Sequence, residues 1–277
     1  MTNLGLQGIS VLTGPSGTNW ASPTAQLAQA WYQNVNFTQA LDHKPGLNLS
    51  ALNSTAKLIR LQRSVSAAGT SFKLTMTMTD NDVHVVRGAP GVLEALVEVP
   101  HAEDAAGVIN IGYTLQWFNK TATKAPETIW LLNRPAVQDA AGWRIDKLGT
   151  MINPLEANLS AGADGTHCTP STDGRAGATC GVHLHAVDSG AFYSGTEGKL
   201  GLLSLDSMLV SVGEPLPSPG PYVTPDPLGG VHFSLVDNTW NTNYPEWYPF
   251  IEASQATAFP GGEGDENSRF RFVMSIS

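Results

Sequence analysis

The chain has 277 residues, 42% hydrophobic and only 14% charged, with 15 Lys and Arg against 24 Asp and Glu and a net charge of -9. This length can hold one large β domain or two small ones, with enough apolar residues for a sizeable core. The acidic balance, with no basic patch evident, argues against nucleic acid and anionic membranes as partners, and no apolar run approaches the roughly 20 residues of a membrane span.

The first stretch, MTNLGLQGISVLTGPSG, lacks the basic start and sustained apolar core of a signal peptide. A cytoplasmic or a secreted location therefore depends on what precedes it. Ser22 suits a helix N-cap and Pro23 the first helical position, so a short N-terminal helix is expected over PTAQLAQAWYQ, with Leu27, Ala30 and Trp31 on one side. Strand signals follow. SFKLTMTMTD sets Phe72, Leu74, Met76 and Met78 on one face, and VINIGYTLQWFN does the same with Ile109, Ile111, Tyr113, Leu115 and Trp117. GVLEALVEV, TIWLL, WRIDKLGTMI, GVHLHAV, LGLLSLDSMLVSVG, GVHFSLV and RFRFVMSIS read as further strands. About nine or ten strands between Gly- and Pro-rich turns imply a large antiparallel sandwich.

Cys168 and Cys180 share one loop, HCTPSTDGRAGATC, and a disulfide there is the favoured reading in a secreted protein. Two reduced thiols, or a metal site with His167, are the alternatives. Asn36, Asn48, Asn53, Asn119 and Asn158 head glycosylation triplets that matter only on the secretory path.

The chemistry-bearing candidates are few. Trp240, Asn241, Asn243, Tyr244, Glu246 and Trp247 could stack on sugar C–H faces and bind hydroxyls, or could build a hydrogen-bonded structural corner. His183 and His185, two apart on a strand, point to one face, about 7 Å apart between their Cα atoms, and could contact sugar, a neighbouring domain or a metal. Lys120 and Lys124 lie near Glu127, and a Lys–Glu pair across that loop contributes little if exposed. Asp206 falls in mid-strand among apolar residues and would need partners there. Asp237 and Glu246 are carboxylates near aromatics. No G-x-S-x-G elbow or phosphate loop is present.

Several segments together carry a family resemblance: DHKPGL from Asp42, RGAP from Arg87, WFNKTATKAPETIW from Trp117, KLGTMINPLE from Lys147, HLHAVDSG from His183, LLSLDSMLVSVGEPLP from Leu202, and HFSLVDNTWNTNYPEWYPF from His232 with FRF after it. In this order they resemble the C-terminal β-sandwich region of proteins related to glycoside hydrolase family 38, the α-mannosidases, and in particular a mainly fungal branch. Lys124 stands where Arg is more usual. The resemblance implies a galactose-mutarotase-like sandwich forming a single domain over residues 1–277, a C-terminal fragment of a larger architecture. It also implies that zinc and the Asp nucleophile belong to an upstream catalytic domain, because no H-x-D pair occurs here. No catalytic residue, metal ligand or cofactor can therefore be carried onto this chain. The expected role is a non-catalytic accessory domain that braces a glycosidase-type catalytic domain and contacts carbohydrate. An autonomous carbohydrate-active enzyme or sugar-binding protein with a His/carboxylate pocket, and a nonfunctional truncation product with exposed sheet edges, are the other two readings.

Overall fold

The computed structural model describes residues 8–34, 50–78, 86–121, 127–155, 184–216, 225–238 and 265–277. These form fifteen strands: β1 Gln29–Asn34, β2 Leu52–Thr55, β3 Lys57–Val65, β4 Gly69–Thr77, β5 Val92–Pro100, β6 Ile109–Thr121, β7 Glu127–Asn133, β8 Trp143–Lys147, β9 Thr150–Ile152, β10 Leu184–Ala186, β11 Gly190–Gly195, β12 Gly198–Ser204, β13 Leu209–Val212, β14 Val231–Asn238 and β15 Asp265–Ile276. They assemble into a nine-stranded sheet, ordered β3-β4-β5-β6-β15-β12-β11-β8-β9, and a six-stranded sheet, ordered β10-β13-β14-β7-β1-β2. Every pairing is antiparallel.

Alternation in the sequence places the core. On β6, Ile111, Tyr113, Leu115 and Trp117 are buried, while Gly112, Thr114 and Gln116 between them are half-exposed. Across the ladder, Phe272 stands opposite Tyr113 and Met274 opposite Ile111. The two sheets meet through side chains such as Phe233 of β14 and Phe272 of β15, whose rings lie 5.2 Å apart. Tyr113 likewise reaches across to donate its hydroxyl to the Ala28 carbonyl at 3.3 Å. Burial of such large side chains stabilises by about 1.5–3 kcal/mol each and makes the sandwich face the dominant folding term. Strand β7 is buried along its whole length. Ile129 and Leu131 join the main core, whereas Trp130 and Thr128 occupy the other face, where the indole N–H donates to the Thr128 hydroxyl at 2.8 Å.

The all-β sandwich is as expected, but the local reading of residues 22–33 is corrected. No helix forms there. Ser22 closes a tight turn with Ala25, Leu27 bridges to Ile9, and the chain enters β1 through Ala28 at φ 54. Helical packing would have put Leu27, Ala30 and Trp31 on one side. Pairing β1 with both β2 and β7 instead turns Ala30 and Tyr32 into the core, at 1% and 0% exposure. The gain from that ladder outweighs a weak helical preference. Two long sequence segments also divide. WRIDKLGTMI becomes β8 and β9 around a two-residue turn with Leu148 at φ 53 and Gly149 at φ 76. LGLLSLDSMLVSVG becomes β12 and β13, and Asp206 sits in the bend between them rather than in mid-strand. There it accepts from the Arg271 guanidinium at 2.8 and 2.9 Å and from the Arg271 backbone N–H at 2.8 Å. Arg271 holds the Asp206 carboxyl below its ordinary range.

One glycine governs how β14 enters the sheet. Gly230 adopts φ 100, and a Cβ there would lie 2.0 Å from the Asn133 carbonyl oxygen of β7. Only glycine lets the two backbones approach so closely.

Candidate functional site

Strand ends from both sheets gather at one pole of the sandwich. In the six-stranded sheet, Asn34 at the end of β1 and Asn238 at the end of β14 both pair in register with Glu127, the first residue of β7. In the nine-stranded sheet, Asp265 and Glu266 at the start of β15 pair with Thr121 and Lys120 at the end of β6. Asn238 and Asp265, the described residues on either side of 239–264, therefore stand at this pole on different sheets.

Between the sheets lies an ion pair. Lys120 Nζ donates to Glu127 Oε1 at 2.6 Å, and both side chains have 0% exposure. The pair ties the end of β6 to the start of β7 across the core. The expected Lys–Glu pairing is thus present, but it is internal rather than exposed. Its position changes its energetics, because a buried pair carries a desolvation cost for both charges and depends strongly on each partner.

A second buried cation stands beside it. Arg87 is 6% exposed. Its guanidinium donates to Asn34 Oδ1 and to the Ser50 carbonyl, each at 2.6 Å, and to the Ser50 hydroxyl at 3.2 Å. The Tyr32 hydroxyl donates to the Arg87 carbonyl at 2.6 Å. Asn34 therefore links this network to the Glu127 row. On the other face of the same strands, Thr128 donates to Gln33 Oε1 at 3.2 Å. Asp237, half-buried on β14, stands opposite Thr128 in register. The pole thus holds the Lys120–Glu127 pair and the Arg87 network between the sheets, with Asp237 on the opposite face of β14.

Other ionisable groups are tied into the framework elsewhere. His232 is fully buried on β14. Its Nδ1 accepts from the Asn133 N–H at 3.2 Å, so the proton sits on Nε2, which donates to the Gly213 carbonyl at 2.8 Å. Burial pushes its pKa down to about 3, with the nearby Arg134 charge acting in the same direction and the Gly213 hydrogen bond against it. Tyr193 donates to Glu197 Oε2 at 2.7 Å, and burial together with that carboxylate raises its pKa to about 12. Lys73 pairs with Glu94 at 3.0 Å.

Of the candidates read from the sequence, Lys120 lies at the pole. His185 does not: it is 3% exposed on β10, three strands from β7 and so roughly 14 Å away across the sheet. Trp240, Asn241, Asn243, Tyr244, Glu246, Trp247, Lys124, His183, Cys168 and Cys180 lie outside the described residues. Sequence reasoning did not single out Arg87 or Asn34 as site residues. Their signal was faint: RGAP and YQN carry no spacing that marks a buried network. Among the described residues, no group of three or more His, Cys, Asp or Glu side chains comes together as metal ligands would.

No family model and no curated protein matches the sequence. Among solved structures, the chain is similar to an alpha-mannosidase from Enterococcus faecalis V583, with 8% sequence identity and a TM-score of 0.47. The similarity covers 96% of this chain and 28% of that enzyme, so the chain spans little more than a quarter of its length.

Proposed function

We propose that this chain is a non-catalytic accessory β-sandwich of a glycosidase-like protein, which braces a catalytic domain and contacts carbohydrate at the Lys120–Glu127 pole. One observation carries the reading. The flanks of segment 239–264, Asn238 on β14 and Asp265 on β15, are held in strand register beside Glu127 and Thr121. Segment 239–264 contains Trp240, Asn241, Asn243, Tyr244, Glu246 and Trp247, a set suited to stacking on sugar rings and taking hydroxyls. The buried pair beneath gives those flanks a fixed base. Placing a recognition segment on rigid strands lowers the ordering cost of binding.

The charges of the described residues also favour a framework role. Lys120 and Glu127, Asp206 and Arg271, Lys73 and Glu94, and the neutral His232 are each engaged in holding strands together. The test is a glycan array probed with the purified chain, its folded state confirmed by circular dichroism. Binding to a defined set of glycans, lost in Trp247→Ala, is expected. A folded chain that binds no glycan, or whose binding ignores Trp247→Ala, contradicts the reading.

A further inference from the structure

Strand β3 is an edge of the nine-stranded sheet, and among the described residues it pairs only with β4. An open row of peptide N–H and C=O groups can template pairing with another chain, so natural edges are usually short, covered, bent or charged. β3 is not short: its nine residues run KLIRLQRSV, all except the half-buried Leu58 are exposed, and a β-bulge shifts its register with β4 between Leu58 and Arg60, leaving Arg60–Val65 as the regular stretch. Ile59 is 61% exposed, Leu61 50% and Val65 59%.

The same strand concentrates positive charge on an acidic chain. Lys57, Arg60 and Arg63 lie within its nine residues, which include no carboxylate. In register, Arg60 faces Thr75 and Arg63 faces Phe72, so the two guanidiniums project from opposite faces of the sheet. Among the described residues neither reaches a carboxylate; nearby Glu94 is engaged by Lys73 at 3.0 Å. The composition alone, with its net charge of -9, did not suggest such a cluster. Charge by itself would serve to repel other strands, but a purely protective edge has no use for three large exposed apolar side chains.

We propose that β3 is a docking edge for an extended acidic polypeptide segment. The segment adds a tenth strand by main-chain hydrogen bonding, sets carboxylates against Arg60 and Arg63 on both faces, and covers Ile59, Leu61 and Val65. Strand addition of this kind draws affinity from the backbone and specificity from side chains. Charge complementarity selects the partner and speeds encounter. A second copy docking through its own β3 fits less well, because it would bring two sets of three cations into one ribbon. The proposal stands apart from the accessory-domain reading and does not depend on it.

The probe is a fluorescein-labelled peptide matching the nine residues of β3 in length, built of valine, threonine and glutamate with glutamates on both faces. Its anisotropy is titrated with the full chain. Saturable binding is expected, weakened about tenfold or more by Arg60→Glu with Arg63→Glu, and by a smaller factor by Arg60→Gln with Arg63→Gln. Both positions are exposed, and circular dichroism checks that each variant keeps its fold. Methylating alternate backbone nitrogens of the peptide should weaken binding as much as the charge reversal. Several results would overturn the proposal: no saturation up to about 1 mM chain, equal binding of a lysine-for-glutamate peptide, or no effect of N-methylation. Tighter capture of a single-stranded oligonucleotide would also do so, as would a concentration-dependent dimer abolished by the Arg60 and Arg63 changes.

Discussion

Removing one member of the Lys120–Glu127 pair should destabilise the sandwich far more than removing both. The two side chains are fully buried and meet at 2.6 Å, bridging β6 of one sheet and β7 of the other. In Lys120→Met the Glu127 carboxylate loses the ammonium 2.6 Å from it inside the core, and in Glu127→Leu the Lys120 ammonium loses that carboxylate. Breaking a buried pair in this way costs about 3–5 kcal/mol. The double variant Lys120→Met/Glu127→Leu removes both charges and leaves apolar volume of similar size, a change that is often close to neutral. It should therefore be at least about 2 kcal/mol more stable than either single variant. Urea unfolding followed by tryptophan fluorescence reads all four proteins, with equal m-values confirming that the unfolded reference is shared. Additive losses in the double variant, or a single substitution costing less than about 1 kcal/mol, would refute the internal pair as a coupled structural element.

His232 is neutral in the folded chain, with a pKa of about 3 against 6.5 when exposed. Its pKa is depressed on folding, so the unfolded chain binds the extra proton between those values. Its contribution is complete above about pH 6.5 and falls by about 1.4 kcal/mol per pH unit below that. Unfolding free energies from urea titrations between pH 7 and 4 should fall at least that steeply, because the lowered carboxyls of Asp206 and Glu94 add to the loss toward acid, and His232→Gln should flatten the dependence while lowering stability at pH 7. Leu148 is 91% exposed at φ 53, where asparagine is better tolerated, so Leu148→Asn should raise stability by up to about 1 kcal/mol in thermal unfolding. Gly230→Ala should cost more than about 2 kcal/mol, because its Cβ meets the Asn133 carbonyl and its φ of 100 is strained for alanine. A soluble Gly230→Ala protein with unchanged melting would show that β14 and β7 can separate freely there.

The sandwich was legible because its longest strands keep strict alternation. Ile111, Tyr113, Leu115 and Trp117, and Phe72, Leu74, Met76 and Met78, fall on the faces that period two assigns to them. Three kinds of feature were not legible. β1 was hidden by Ser22–Pro23, a helix-start signal whose hydrogen bond from Ala25 to the Ser22 hydroxyl forms within an isolated turn. β3 was hidden by its charges, since KLIRLQRSV lies on an edge, is exposed on both faces and so carries no burial pattern. The polar pole was hidden because Asn34, Arg87 and Glu127 are far apart in sequence and are brought together by the register of β1 and β7 and by the Arg87–Asn34 hydrogen bond. Lys120 and Glu127 were visible as a pair, but local sequence could not reveal that the pair lies inside the sandwich.

Ligand-observed NMR of the folded chain with an oligosaccharide identified on the glycan array tests binding without turnover most directly. The expected result is saturation transfer to the sugar protons, abolished by Trp247→Ala, with the glycosidic anomeric signals unchanged over prolonged incubation. Growth of new reducing-end signals that depends on Glu246 would contradict it by making the chain an enzyme, and the absence of saturation transfer would contradict the carbohydrate contact.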